Sequence, residues 1–166
     1  MKAKLIINDK ELEVEISEEE LKKFVGKSNK TGYEKTNASH QYWYVNNMDE
    51  VAWSNDCSDT DDYARYNVSN YYADKSVATN NARADKLMRQ LRRFVVEHRV
   101  ETINYSTDTW YEIMYDCNFK QVRIEDASDC KYFGTIHFNT REVAQLAIDT
   151  FYDELMWYFT EYKDSL

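Results

Sequence analysis

Residues 74–99, DKSVATNNARADKLMRQLRRFVVEHR, form the longest stretch of helical periodicity in the chain. Val77, Ala84, Leu87, Met88, Leu91, Phe94 and Val95 fall near one face of a 3.6-residue repeat, and Asp74 stands where an N-cap belongs. Positive charge also concentrates here. Between residues 82 and 99, six basic residues (Arg83, Lys86, Arg89, Arg92, Arg93 and Arg99) face only Asp85 and Glu97, a balance of +4. The whole chain carries −9, so the remainder carries −13. A basic helix in an acidic protein is the main physical asymmetry.

On both sides of this helix the pattern reads as short strands. Upstream, Tyr42–Val45 and Glu50–Ser54 flank an Asn46-Asn47 turn, a short element runs through Tyr63 and Tyr66, and Val68–Tyr72 reads as a strand leading into the Asp74 cap. Downstream, Trp110–Tyr115 and Gln121–Glu125 read as a hairpin, 126–132 as an acidic loop and Phe133–Phe138 as a third strand. Asn139 or Thr140 then caps a last helix reaching about Tyr162. That helix holds Leu155-Met156-Trp157-Tyr158-Phe159, apolar around its whole circumference, so the core or a second chain covers it.

The two halves share an element order, and at an offset of 66 Tyr72 meets Phe138, Asp74 meets Thr140, and Val77-Ala78 meets Val143-Ala144. An internal duplication and a chance recurrence of strand, cap and helix both account for this. The expected fold is α+β: antiparallel sheets with long helices, tandem ββ-loop-βα units and an N-terminal hairpin–helix arm. Residues 1–25 read as that arm, with strands around an Asn8-Asp9 turn and a short helix begun by a Ser17/Glu20 capping box. Residues 26–39, which hold two of the three glycines, read as a linker. Residues 40–100 and 101–166 are the two units of one compact body.

Composition narrows the classes. A chain of 166 residues can bury roughly 70% of its unfolded surface, enough for one solid core. Aromatic residues reach 15%, with 14 Tyr, a composition that suits either an aromatic core or a protein interface. Three widely spaced cysteines without a CxxC suit a reducing compartment, and no apolar run approaches the roughly 20 residues of a membrane helix. A cytoplasmic protein, monomeric or homodimeric, is expected.

Three segments carry a resemblance. FGTIHFNTREVAQLAI, NYYADKSVATNNARADKLMRQLRRF and DELMWYFTEYKD resemble segments of small phage and prophage proteins. The resemblance covers roughly residues 70–166, and its motif residues are caps and core positions, so it transfers no functional residues. Some proteins of that group act as anti-CRISPR or other anti-defence inhibitors. The resemblance therefore implies a host defence protein or nuclease complex as partner.

No pattern in the sequence carries a catalytic mechanism. The aspartates of 56–62 fail the calcium-loop test, because counting from Asp59 puts Ala64 at the turn position and Asn70 at the bidentate position. His40, His98, His137 and the cysteines lack zinc spacing, and no glycine-rich phosphate loop or G-x-S-x-G is present. Neither a metal nor a cofactor is expected, and the chain reads as a non-enzyme.

Two binding surfaces remain. Asp56, Asp59, Asp61 and Asp62, close in sequence to Trp43, Trp53, Tyr63 and Tyr66, read as an acidic, aromatic surface that imitates a DNA backbone and enters a basic nucleic-acid channel. The alternative is an accessory protein that tracks phosphates with Arg83, Lys86, Arg89 and Arg93. Against both stands the plainer reading: the arginines answer acidic loops of the same molecule, and the carboxylates keep it soluble.

Overall fold

The computed structural model describes residues 2–7, 10–15, 31–99 and 101–162. They build an α+β fold with three two-stranded antiparallel sheets and three helices. β1 (Lys2–Ile7) pairs with β2 (Lys10–Glu15), Leu5 opposite Leu12. The helix expected before residue 25 and the first part of the 26–39 segment lie outside the described residues.

The body follows in chain order: β3 (Gln41–Val45), β4 (Val51–Asn55), α1 (Thr60–Asn67) and α2 (Lys75–His98). Then come β5 (Trp110–Asp116), β6 (Gln121–Ala127) and α3 (Arg141–Thr160). Both halves use one construction. In the first, Trp43 and Tyr72 exchange two backbone hydrogen bonds of 2.8 Å; in the second, Tyr111 and Phe138 exchange bonds of 2.9 and 2.8 Å. Two residues after each bridge comes an N-cap. Asp74 accepts from Ser76 N at 2.7 Å, and Thr140 Oγ1 accepts from Val143 N at 3.2 Å, relieving backbone donors that the first helical turn leaves orphaned. Four residues further, Ala78 and Ala144 are both fully buried.

The expected third strands are a correction. Instead of strands over 68–72 and 133–138, single bridges form at Tyr72 and Phe138. Val68 N bonds Ala64 O as the end of α1, and Ser69 then takes a left-handed φ of 58°, outside the extended region of a regular strand. In the second half Gly134, with φ 83°, turns the chain just before Thr135.

α2 divides its buried face between the first hairpin and α3, which in turn packs on β5 and β6. Near its start Ala78 and Ala82 are buried, and small side chains there let β3 and β4 lie close. Toward its end Leu87, Leu91 and Phe94 join Ile124, Phe138, Ile148 and Leu155 in the main core. α3 kinks at Phe151 (φ −116°, ψ 21°), whose ring meets Phe94 edge-on at 5.6 Å. Beyond the kink, Tyr158 and Phe159 pack on the core while Trp157 is buried on the other side beneath Arg83. Of the all-round apolar segment, Leu155 and Trp157 are buried within the chain, and Met156, Tyr158 and Phe159 are half-buried.

Residues 31–36, from the stretch read as a linker, are held against this body. Gly32 O accepts from Ala73 N at 2.7 Å, and Tyr71 Oη accepts from Thr36 N at 3.2 Å. Gly32 has φ 86°, and a Cβ there would sit 2.6 Å from Val77 Cγ2, so only glycine fits.

Candidate functional site

The carboxylates singled out in the acidic stretch do different jobs. Asp56 and Asp62 are 0% and 2% exposed. Asp62 accepts from the Tyr42 hydroxyl at 2.7 Å and from Cys57 N at 2.7 Å, and with the N-cap Asp59 it forms the capping box of α1. Asp56 accepts from the Tyr71 hydroxyl at 2.7 Å and from Ser58 N at 2.8 Å. Tyr42 and Tyr71 stack face to face, centroids 4.0 Å apart, so two buried phenols each serve one buried carboxylate. Burial pushes the Tyr71 phenol up to about 12, and the neighbouring Asp56 adds to the shift. Burial also works against the Asp62 carboxylate, but the Tyr42 and Cys57 donors outweigh it and hold Asp62 below the usual range. The reading of these aspartates as one exposed cluster is corrected: of the four, only Asp59 and Asp61 are exposed, and Asp59 is occupied as a cap.

The aromatic residues are separated as well. Strand alternation puts Trp43 opposite Trp53 on one face of the β3–β4 hairpin, whereas Tyr42 and Ser54 lie on the other, under α1. Tyr63 and Tyr66 belong to α1 and so to that second side. Lys75 sits 5.0 Å over the Trp43 ring and Lys35 3.7 Å over Tyr63, while Arg65 covers Tyr44 at 4.0 Å. Trp53 is left 58% exposed on the hairpin's outer strand, with Met48 exposed at the adjoining turn.

The basic helix is largely answered from within. Arg83 forms a two-pronged pair with Glu154 at 2.7 and 3.1 Å and stacks on Trp157 at 4.0 Å. The Arg83 bonds hold the Glu154 carboxyl below its usual range, with Lys86 contributing through its field. Arg89 meets Asp49 at 2.7 Å, and Arg93 meets Glu97 at 2.7 Å one turn along. Among the described residues, Lys86, Arg92 and Arg99 are the exposed cations of residues 82–99 without an ion pair.

A further polar cluster was not singled out in the sequence. Glu112 follows Trp110 on the face of β5 turned away from the main core, and its side chain is 8% exposed. His137, 11% exposed, places Nε2 3.2 Å from Glu112 and 2.8 Å from Thr135 Oγ1, with Nδ1 3.0 Å from the Tyr105 hydroxyl. Trp110 Nε1 also donates to Glu112, at 3.1 Å. Burial pushes the His137 imidazole below its usual value; Glu112 opposes this and Lys131 reinforces it. One signal was available: in WYEIM, period-two alternation puts Glu112 in line with a tryptophan, an odd place for a solvated carboxylate.

Among the described residues no group of three or more His, Cys, Asp or Glu side chains is placed to hold a metal, and no helix is long and apolar enough to cross a membrane. No protein-family model matches the chain, and no curated protein or solved structure is significantly similar to it.

Proposed function

We propose that this chain is a non-enzymatic binding protein that docks a basic, nucleic-acid-handling protein and inhibits it in the anti-defence manner, an RNA-guided nuclease complex being the partner class to test first. What supports the reading above all is the internal pairing of α2. Arg83, Arg89 and Arg93, three of the four side chains best spaced to follow a phosphate backbone, already hold carboxylates of the same molecule. A chain of net −9 then offers a nucleic acid little attraction and a basic protein surface a great deal. The docking face runs along β4, the outer strand of the first hairpin. Trp53 supplies an exposed aromatic anchor there, and Met48 with Glu50 extends it along the turn.

The test is association kinetics against purified RNA-guided nuclease complexes over a range of ionic strength, with duplex DNA measured in parallel. The reading expects association that accelerates as salt falls, blocked cleavage, and no binding to the duplex. Trp53→Ala is expected to speed dissociation by about tenfold or more, the change typical of a hot-spot anchor. Duplex binding that survives at 150 mM salt and fails in a Lys86→Gln, Arg92→Gln variant would instead make the unpaired cations of α2 the working surface.

A further inference from the structure

The two bridges leave different edges behind them. Beyond Trp43, the next edge-facing residue of β3 is Val45, and its backbone is fully occupied. Asn70 Oδ1 accepts from Val45 N at 2.7 Å, and Asn70 Nδ2 donates to Val45 O at 2.8 Å. A side-chain amide thereby stands in for the peptide group of a neighbouring strand. In the second half Ile113 follows Tyr111 as Val45 follows Trp43, and Ile136 precedes Phe138 as Asn70 precedes Tyr72. An isoleucine cannot make the two bonds. Alternate residues of a strand turn their backbone groups to the same side, so Ile113 and Tyr115 point theirs where Tyr111 points its own, away from β6. Among the described residues, no hydrogen bond takes up the Ile113 N–H or C=O on that side.

This open edge does not face plain solvent. After Phe138 the chain, traced backward, leaves β5, and the gap between them is a cleft of about 270 Å³ lined by Leu91, Ile113, Phe133, Ile136, Leu155 and Tyr158. Phe133 at its mouth is fully exposed, at 109%. The volume lies below the roughly 300–1,000 Å³ of drug-sized ligand sites and suits one large apolar side chain. Backbone donors and acceptors in a row beside an apolar hole are the two halves of strand-addition recognition.

We infer that the β5 edge between Ile113 and Tyr115, with the apolar cleft beside it, binds an extended peptide segment of another protein. The peptide adds as a short strand and places one aliphatic or aromatic side chain in the cleft. The first half shows the kind of group the edge takes: an amide bonded through both its oxygen and its nitrogen. The site lies on the second hairpin and is independent of the Trp53 face.

The test uses the whole ¹⁵N-labelled protein and a capped hexapeptide alternating threonine with leucine and valine. Saturable shifts of the Ile113 and Tyr115 amides are expected, with exchange at Ile113 slowed about tenfold or more on binding. A hexapeptide of the same sequence, N-methylated at alternate residues so that it cannot donate to the edge, is expected not to bind. Ile136→Asn, which builds the cap found at Asn70, is expected to weaken the peptide about tenfold or more; should that variant fold poorly, the N-methylated peptide decides alone. The inference is overturned if the Ile113 amide is already protected in the free protein. It is overturned equally if neither amide shifts, if the N-methylated peptide binds as well, or if dilution shows the edge closed by a second copy of the chain.

Discussion

The Tyr42 hydroxyl donates to Asp62 Oδ1 at 2.7 Å inside the protein, joining β3 to α1 through a carboxylate that is also part of the helix cap. Cys57 N shares the same carboxylate, and Arg65 reaches the Tyr42 oxygen from the other side. Asp62 is therefore a fold determinant, although its sequence neighbourhood reads as a charged surface loop.

Asp62→Asn is expected to cost about 1–3 kcal/mol, because it leaves donors without a charged acceptor in a buried place. The midpoint of urea unfolding reads this directly, and Asp61→Asn, at an exposed position, should move it little. The pH dependence follows from the lowered Asp62 carboxyl. Its contribution is complete above the ordinary aspartate value near 3.8 and is lost as pH falls through the lower folded value. Equal midpoints for the Asp61 and Asp62 variants would defeat the assignment.

Gly32→Ala is expected to destabilise the protein by about 1–3 kcal/mol. The added methyl both enters Val77 at 2.6 Å and forces a non-glycine residue into a left-handed backbone. A second change, Val77→Ala in the same chain, should recover only the steric part. Recovery to the full parent stability would show that backbone conformation contributes nothing here. Thermal unfolding of the two variants separates the terms.

The regular elements were legible because their signals are local. Period 3.6 marks α2 and α3, Asp74 is the expected cap and Thr140 one of the two expected at α3, and the hairpins expected at 42–45/50–54 and 110–115/121–125 fall within two residues of those observed. What was not legible depends on partners distant in sequence. A carboxylate in an acidic run looks the same whether solvated or buried, and Asp62 is decided by Tyr42, twenty residues earlier. Val68–Tyr72 has the letters of a strand, but Asn70 spends its side chain where the backbone ladder would have run. The aromatics near the acidic run looked like one surface because sequence proximity hides pleating: Trp43 and Tyr42 are neighbours in the chain and face opposite sides of the sheet.

Arg83 is expected to matter more to stability than its ion-pair partner. Glu154→Gln removes a half-exposed pair worth about 0.2–1 kcal/mol, whereas Arg83→Gln also removes the guanidinium stacked on Trp157, worth about 0.5–1 kcal/mol more. A double-mutant cycle read by urea unfolding in low and high salt should show the pair's coupling weaken with salt. If Arg83→Gln and Glu154→Gln cost the same, the stacking on Trp157 adds nothing.

His137 is expected to resist protonation. The groups that face it are Glu112, Tyr105 and Thr135, with Lys131 lying over the Tyr105 ring at 3.1 Å. Burial and Lys131 favour the neutral ring, Glu112 favours the charged one, and the balance falls below the ordinary imidazole value near 6.5. The sign follows from proton counting: between the folded and unfolded values the unfolded chain binds more protons. Stability is therefore complete above about pH 6.5 and declines as the pH falls from there to the folded value, below which no further loss comes from this group. Imidazole NMR titration checks the midpoint itself. Lys131→Ala should raise it and Glu112→Gln should lower it further, while a His137→Gln chain should lose the part of the stability slope just below pH 6.5. A midpoint at or above 6.5 in the parent protein would mean that Glu112, not burial, governs this ring.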